Sequence, residues 1–270
     1  MDLFTEASPT LASYGQRINF GYRVYGAGIM ALGVVCLASR NFILSQLLPD
    51  NFSHRIALAY VGAAFTLVAG AAIEWRRAMP WAAAALTVFY ALIVLIAIDV
   101  HFMFVNYAEY GTYSNVAEEL AITAAALILA AGSLKIAAAW AQRLTRLGQV
   151  IFGVCAVLFG GAHFFYMNLT VPLVPKWLPP DQVFWAYATG IGHIAAGLAI
   201  LAGVQARLAA ILLTVMYASF TPLVHLPLLV ADPSSHWIWA ENALNIALTG
   251  AAWIVADSLA PRARRDGVQG

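Results

Sequence analysis

Three of the six histidines, His163, His193 and His225, stand inside long apolar runs. An ionisable side chain there costs several kcal/mol to bury and is a functional candidate by default. Two histidines at matched depth on neighbouring helices suit axial ligation of a haem. Three suit zinc or copper with one coordination position left open. One histidine beside a carboxylate suits binding and deprotonation of a quinol, since a neutral imidazole titrates near physiological pH. Glu241 is the carboxylate placed in this ligand-binding set, and Asp99, His101, Glu118, Glu119, Asp232 and His236 lie near it in the chain's polar stretches. No H-x-x-x-H or C-x-x-C spacing is present, so the metal assignment for His163, His193 and His225 rests on depth alone. The simpler alternative is that each imidazole hydrogen-bonds a backbone carbonyl or a tyrosine between helices.

The elements that hold these residues follow from composition. The chain has 270 residues, 62% hydrophobic and 10% charged, where a soluble domain averages about 45–50% apolar and about 25% charged. A soluble fold cannot hide that much apolar surface, whereas a bilayer accepts it. A net charge of +1 gives no basic field for nucleic acid. Long apolar runs without alternation exclude a closed barrel. With roughly 20 apolar residues per span, eight transmembrane helices are expected, at 19–38, 56–73, 80–100, 119–140, 149–168, 184–204, 208–230 and 237–257. The N-terminal MDLFTEASPT lacks the basic region of a secretory signal, so the first apolar run is expected to stay as a span.

Charge orients the spans. Arg17, Arg76, Arg77, Lys135, Arg143, Arg146, Arg207, Arg262, Arg264 and Arg265 fall on one side, against Arg40, Arg55 and Lys176 on the other. The positive-inside rule then puts both termini in the cytoplasm, with Arg23 snorkelling near that face. Trp75, Trp81, Trp140, Trp177, Trp185, Trp237 and Trp239 mark helix ends, as an aromatic belt requires. All six histidines fall in the outer half. At a rise of 1.5 Å per residue, His163, His225 and His193 come roughly 8, 8 and 13 Å below the outer boundary. Cys36 and Cys155 fall at different depths and are not expected to pair.

The chain also carries an internal repeat. A shift of about 127 residues maps Gly21, Gly26 and Gly33 onto Gly148, Gly153 and Gly160. It also maps Leu86-Thr87-Val88-Phe89-Tyr90-Ala91 onto Leu213-Thr214-Val215-Met216-Tyr217-Ala218, and Ala117-Glu118 falls on Ala240-Glu241 with a small gap. Four helices per repeat make the halves parallel, 1–144 and 145–270. Glu118 and Glu241 are expected to begin the fourth helix of each half, where a carboxylate complements the helix dipole. Under the shift His163 falls on Cys36, His193 on Phe65 or Thr66, and His225 on Ile98, so the histidines belong to the second half alone.

Three pieces of that half carry a resemblance: Phe152-Gly153 to Gly160-Gly161, Val174-Pro175-Lys176-Trp177-Leu178-Pro179, and Gly190-Ile191-Gly192-His193-Ile194-Ala195-Ala196-Gly197-Leu198 followed by Ala206-Arg207-Leu208. Residues 145–257 resemble the DoxX family of four-helix membrane proteins, which usually shows an acidic residue where His193 stands. The resemblance implies an all-α polytopic membrane protein and an association with quinone and with thiol or sulfur redox chemistry. The function it points to is a redox-linked protein of the bacterial inner membrane, binding a quinone or similar hydrophobic ligand near the outer face, with a His-ligated metal or haem as a variant. Its partners would be membrane lipids and a redox partner protein or larger membrane complex. The alternative is a non-enzymatic anchor or assembly subunit. A transporter is a weaker third reading, kept because Pro222 and Pro227 flank His225.

Overall fold

The computed structural model describes residues 20–40, 54–92 and 100–260. Asp99 and the arginine cluster at 262–265 lie outside them. The described residues form helices and turns and no strand. The main helices are α1 (Gly21–Ser39), α2 (Arg55–Glu74), α3 (Met79–Val88), α4 (Val100–Val105), α5 (Tyr110–Ser133), α6 (Ala138–Phe165), α7 (Gln182–Ala202), α8 (Ala206–Ala231) and α9 (His236–Ser258). Six of them, α1, α2, α5, α6, α7 and α8, are long and apolar enough to cross a membrane, which marks the chain as a membrane protein. Exposed Val61, Val68, Leu198, Leu212 and Val215 agree, because apolar side chains bared at mid-helix suit lipid surroundings better than water.

Two of the eight expected runs are not among these six. The third run is described only over Met79–Leu92, and residues 93–99, which continue it in the sequence, lie outside the described residues. The eighth, α9, carries Glu241, Asn242, Asn245 and Thr249 and so falls short on hydropathy, yet it is enclosed by protein along most of its length. A helix that does not face lipid has no need of a uniformly apolar surface. Two boundaries also move. The run expected at 119–140 is α5, which starts at Tyr110, and the run expected at 149–168 is α6, which starts at Ala138. The opening turns of α5 are polar but tied to α6: Tyr110 donates from its hydroxyl to the Leu158 carbonyl at 2.9 Å, and Gly111 N–H donates to Tyr166 Oη at 2.8 Å. The first turns of α6 carry Gln142, Arg143 and Arg146, polar residues that a hydropathy reading leaves out. Arg146 reaches across to the Ile200 and Leu201 carbonyls at the end of α7, where a cation complements the helix C-terminus.

Packing follows two matched series of contacts. α1 packs on α2 and α6 on α7; α1 also packs on α9, and α6 on α5. α3 packs on α5 and α8 on α9, while α5 and α9 meet each other. Small residues set the close crossings. A methyl at Gly70 would lie 2.7 Å from Met30 N of α1, and one at Gly197 would lie 2.5 Å from Gly153 O of α6. A methyl at Gly28 would collide with the Ala247 backbone of α9, and one at Gly250 with that of Tyr25 in α1. Without a hydrophobic force between helices in lipid, such backbone proximity is the main source of van der Waals attraction. α5 is central, with 78% of its apolar window buried, whereas α8 is peripheral at 22%.

Candidate functional site: a histidine-lined cavity

One end of the bundle, where α6 and α8 finish and α5 and α9 begin, holds a partly open cavity of about 250 Å³. It is lined by Ser114 and Glu118 of α5, Phe159 and His163 of α6, His193 of α7, Tyr217, Phe220 and His225 of α8, and Glu241 and Asn245 of α9. Tyr166 and Thr170, in the turn after α6, complete the wall. That turn is pinned by Gln182, whose amide donates to the Val171 and Val174 carbonyls, and by Trp185 Nε1, which donates to Pro179 O at 2.8 Å. Asp181 caps α7 by accepting from Phe184 N–H at 2.7 Å, which holds the start of that helix beneath the turn.

The four residues selected from sequence, His163, His193, His225 and Glu241, therefore meet at one cavity. The His163 and His193 rings lie 5.0 Å apart between centroids, tilted by 42°. His193 is fully enclosed, 2% exposed, with Tyr217 at 5.4 Å and Phe220 and Phe159 each at 6.3 Å from its ring. Each of the two imidazoles engages its own helix: His163 Nδ1 lies 3.0 Å from the Phe159 carbonyl, and His193 Nδ1 lies 2.8 Å from the Thr189 carbonyl. A carbonyl oxygen can only accept, so Nδ1 is the donor in both rings. In the neutral imidazole Nε2 is then the nitrogen with a free lone pair. The backbone bond foreseen as the simpler alternative is thus present, and it orients the ring rather than exhausting it.

Other polar groups at the cavity lack partners. Tyr217 is 3% exposed, and its hydroxyl is buried without a hydrogen bond; the same holds for Nδ1 of His225. Buried polar atoms are satisfied in the great majority of cases, so an orphaned hydroxyl and an orphaned ring nitrogen at one cavity point to an absent ligand or water. His225 belongs to a π-helical turn, Thr221–His225, in the middle of α8. Pro222 has no N–H to give the preceding turn. Asn245 compensates from α9, donating from Nδ2 to the Tyr217 carbonyl and to Thr221 Oγ1, each at 2.9 Å.

Several expectations change. Glu118 and Glu241 do not begin their helices: α5 starts at Tyr110 and α9 at His236, so both carboxyls lie beyond the first turn and line the cavity instead. His163, His193 and His225 do not close into a ligand set, since no group of three or more His, Cys, Asp or Glu among the described residues is arranged to hold a metal ion. Haem fits no better. Trans-axial imidazoles bonded to a metal at about 2 Å have ring centroids roughly 6 Å apart on opposite faces of a porphyrin, and the 5.0 Å, tilted pair leaves no such slot. His54, His101 and Asp232 are exposed and stand outside the cavity, as does His236. Phe104 and Tyr107 are also exposed, whereas Tyr110 stacks on Phe165 at 4.2 Å and 14°. Cys36 and Cys155 are both buried and form no disulfide. Tyr217 is the residue that the chemistry-first reading missed; its only signal was its place in the Leu-Thr-Val-x-Tyr-Ala string shared by the two halves.

Comparison with known proteins adds one bounded result. No curated protein and no solved structure matches the chain. Residues 152–256, which carry all the cavity-lining histidines, match the model of a family described as a domain of unknown function, DUF8561.

Proposed function

We propose that the chain is a redox-linked integral membrane protein that binds a quinone, or a similar hydrophobic ring, in this cavity near the outer membrane face. The observation that carries the reading is the meeting of His163, His193, His225 and Glu241 with an orphaned Tyr217 hydroxyl around one space of about 250 Å³. A dry cavity of about 150 Å³ accepts a benzene ring, so this one has room for a single substituted ring whose tail lies in lipid. Phe159 and Phe220 supply apolar walls, and the imidazoles supply the few polar contacts that fix orientation.

The scaffold proposed around it is eight spans in two parallel four-helix repeats, residues 1–144 and 145–270, of the DoxX-like kind. Matched pairings support this: α1 with α2 as α6 with α7, and α1 with α9 as α6 with α5. Enclosure of α9 explains how a polar sequence serves as the eighth span. In the same reading the positive-inside bias of the sequence sets both termini in the cytoplasm, the membrane is a bacterial inner membrane, and the partners are lipids and a redox partner protein or larger complex. The test is solvent extraction of full-length protein purified in mild detergent. Quinone recovered near one per chain, and lost in His163→Ala and His193→Ala proteins of unchanged helicity, is the expected result. Wild-type protein that carries no quinone and binds none on addition overturns it.

A further inference from the structure

Two carboxyls face the cavity without a cation to balance them. Glu118 of α5 and Glu241 of α9 both line it, and among the described residues no lysine or arginine does. α5 and α9 pack on each other, and the two carboxyls are close enough for their charges to act on one another. In the two-repeat reading they hold the same position of each half, so the docking of the halves itself brings them together. Both are half-buried, whereas His193 is enclosed. The other titratable groups at the cavity are His163, Tyr166, His193, Tyr217 and His225. Cys36 of α1, Tyr90 of the α3 run and Glu119 cluster apart from it. Two neighbouring carboxylates with no counter-ion and little bulk water repel, and a pair so placed keeps one proton between them. The Tyr217 hydroxyl marks the same space as one that takes a polar guest: the residue is 3% exposed, and the hydroxyl has no hydrogen bond.

We propose that Glu118 and Glu241 form a proton-sharing pair, one an acid and the other a carboxylate at neutral pH, and that this pair exchanges its proton with water at the cavity mouth. The acid offers an O–H donor and the carboxylate an acceptor, so the pair serves either a ring carbonyl or a ring hydroxyl. That contact with a ring rests on the ring-binding reading above; the proton site itself does not.

The experiment is an infrared pH titration of ligand-free, full-length protein in detergent, read at the C=O stretch of protonated carboxyl groups. The Glu118→Gln/Glu241→Gln double variant is the blank, which removes acids elsewhere, the enclosed Glu119 among them. Wild-type protein is expected to show one protonated carboxyl above the blank at neutral pH. In Glu118→Gln and in Glu241→Gln the carboxyl that remains has lost its like-charged neighbour, and it is expected to ionise at least about one pH unit below the wild-type acid. Glutamine is neutral and has the shape of the acid, so helicity is expected to be unchanged, and either single variant carries the test if the other fails to fold. Wild-type signal equal to the blank at neutral pH overturns the proposal. Midpoints in the single variants that equal wild type overturn the sharing, since a carboxyl then holds its proton without help from its neighbour. A short-tailed benzoquinone added to wild-type protein is expected to shift the acid's C=O band through the new hydrogen bond. Bound quinone with an unmoved band overturns the contact between pair and ring. Quinone that does not bind overturns the ring-binding reading and leaves the proton site standing.

Discussion

Tyr217 is the residue whose replacement best separates a structural role from a ligand-binding one. Its hydroxyl is buried with no partner, so Tyr217→Phe removes a penalty rather than a bond. Thermal unfolding in detergent is expected to stay level or rise, by about 1 kcal/mol at most, while affinity for a ring ligand falls several-fold. A drop in stability would show that the hydroxyl is satisfied in the folded protein. The three histidines are legible in the sequence because helical rise is rigid: counting residues from a span's end gives depth, and matched depth puts them in one layer. Glu118 and Tyr217 are not legible in the same way. Glu118 looks like a helix-starting carboxylate because the polar turns Tyr110–Asn115 hide the true beginning of α5, which depends on hydroxyl contacts to α6. Tyr217 offers no charge and no motif, and only the face it presents reveals it.

At the scale of the element, α8 shows how a helix break can be built into a site. A π turn adds a residue to the local winding and rotates the succeeding turns by about 100°, which resets the direction of His225 relative to the turns below it. The break depends on α9, since Asn245 holds both the Tyr217 carbonyl and the Thr221 hydroxyl. Asn245→Leu is expected to cost about 1–2 kcal/mol in a detergent unfolding measurement and to weaken ligand binding through the displaced Tyr217 and His225. Equal stability with unchanged binding would mean that the π turn is held without the latch. The glycines make a sharper contrast. Gly28→Val must push a side chain into the Ala247 backbone and is expected to cost about 1–3 kcal/mol or more, whereas Gly192→Ala meets nothing nearer than Met216 Sδ at 3.7 Å and is expected to be neutral or stabilising. Spacing along the sequence cannot tell these glycines apart, because each sits among other small residues; what differs is the partner helix.

Over the whole molecule, hydropathy reveals lipid contact rather than membrane crossing, and this decides how much of the fold the sequence yields. α2 and α8, with broad exposed faces, are easy to find; α9, shielded by its neighbours, carries polar residues that blur the signal. Topology reporters fused to either end give the matching test. An even number of spans puts both fusions on the same side, the cytoplasmic one, and opposite-side signals would require one of the eight proposed spans to be lost. The pairing of α1 with α9 carries a consequence for how the protein is made. α1 leaves the ribosome well before α9, so the face of α1 that bears Tyr25 and Gly28 waits in lipid until α9 has been translated. A nascent chain arrested before residue 236 should therefore hold α1 loosely, open to crosslinking by lipid-soluble reagents at positions that α9 covers once it is made, and the histidine cavity, whose wall includes Glu241 and Asn245, is complete only when the same helix has docked.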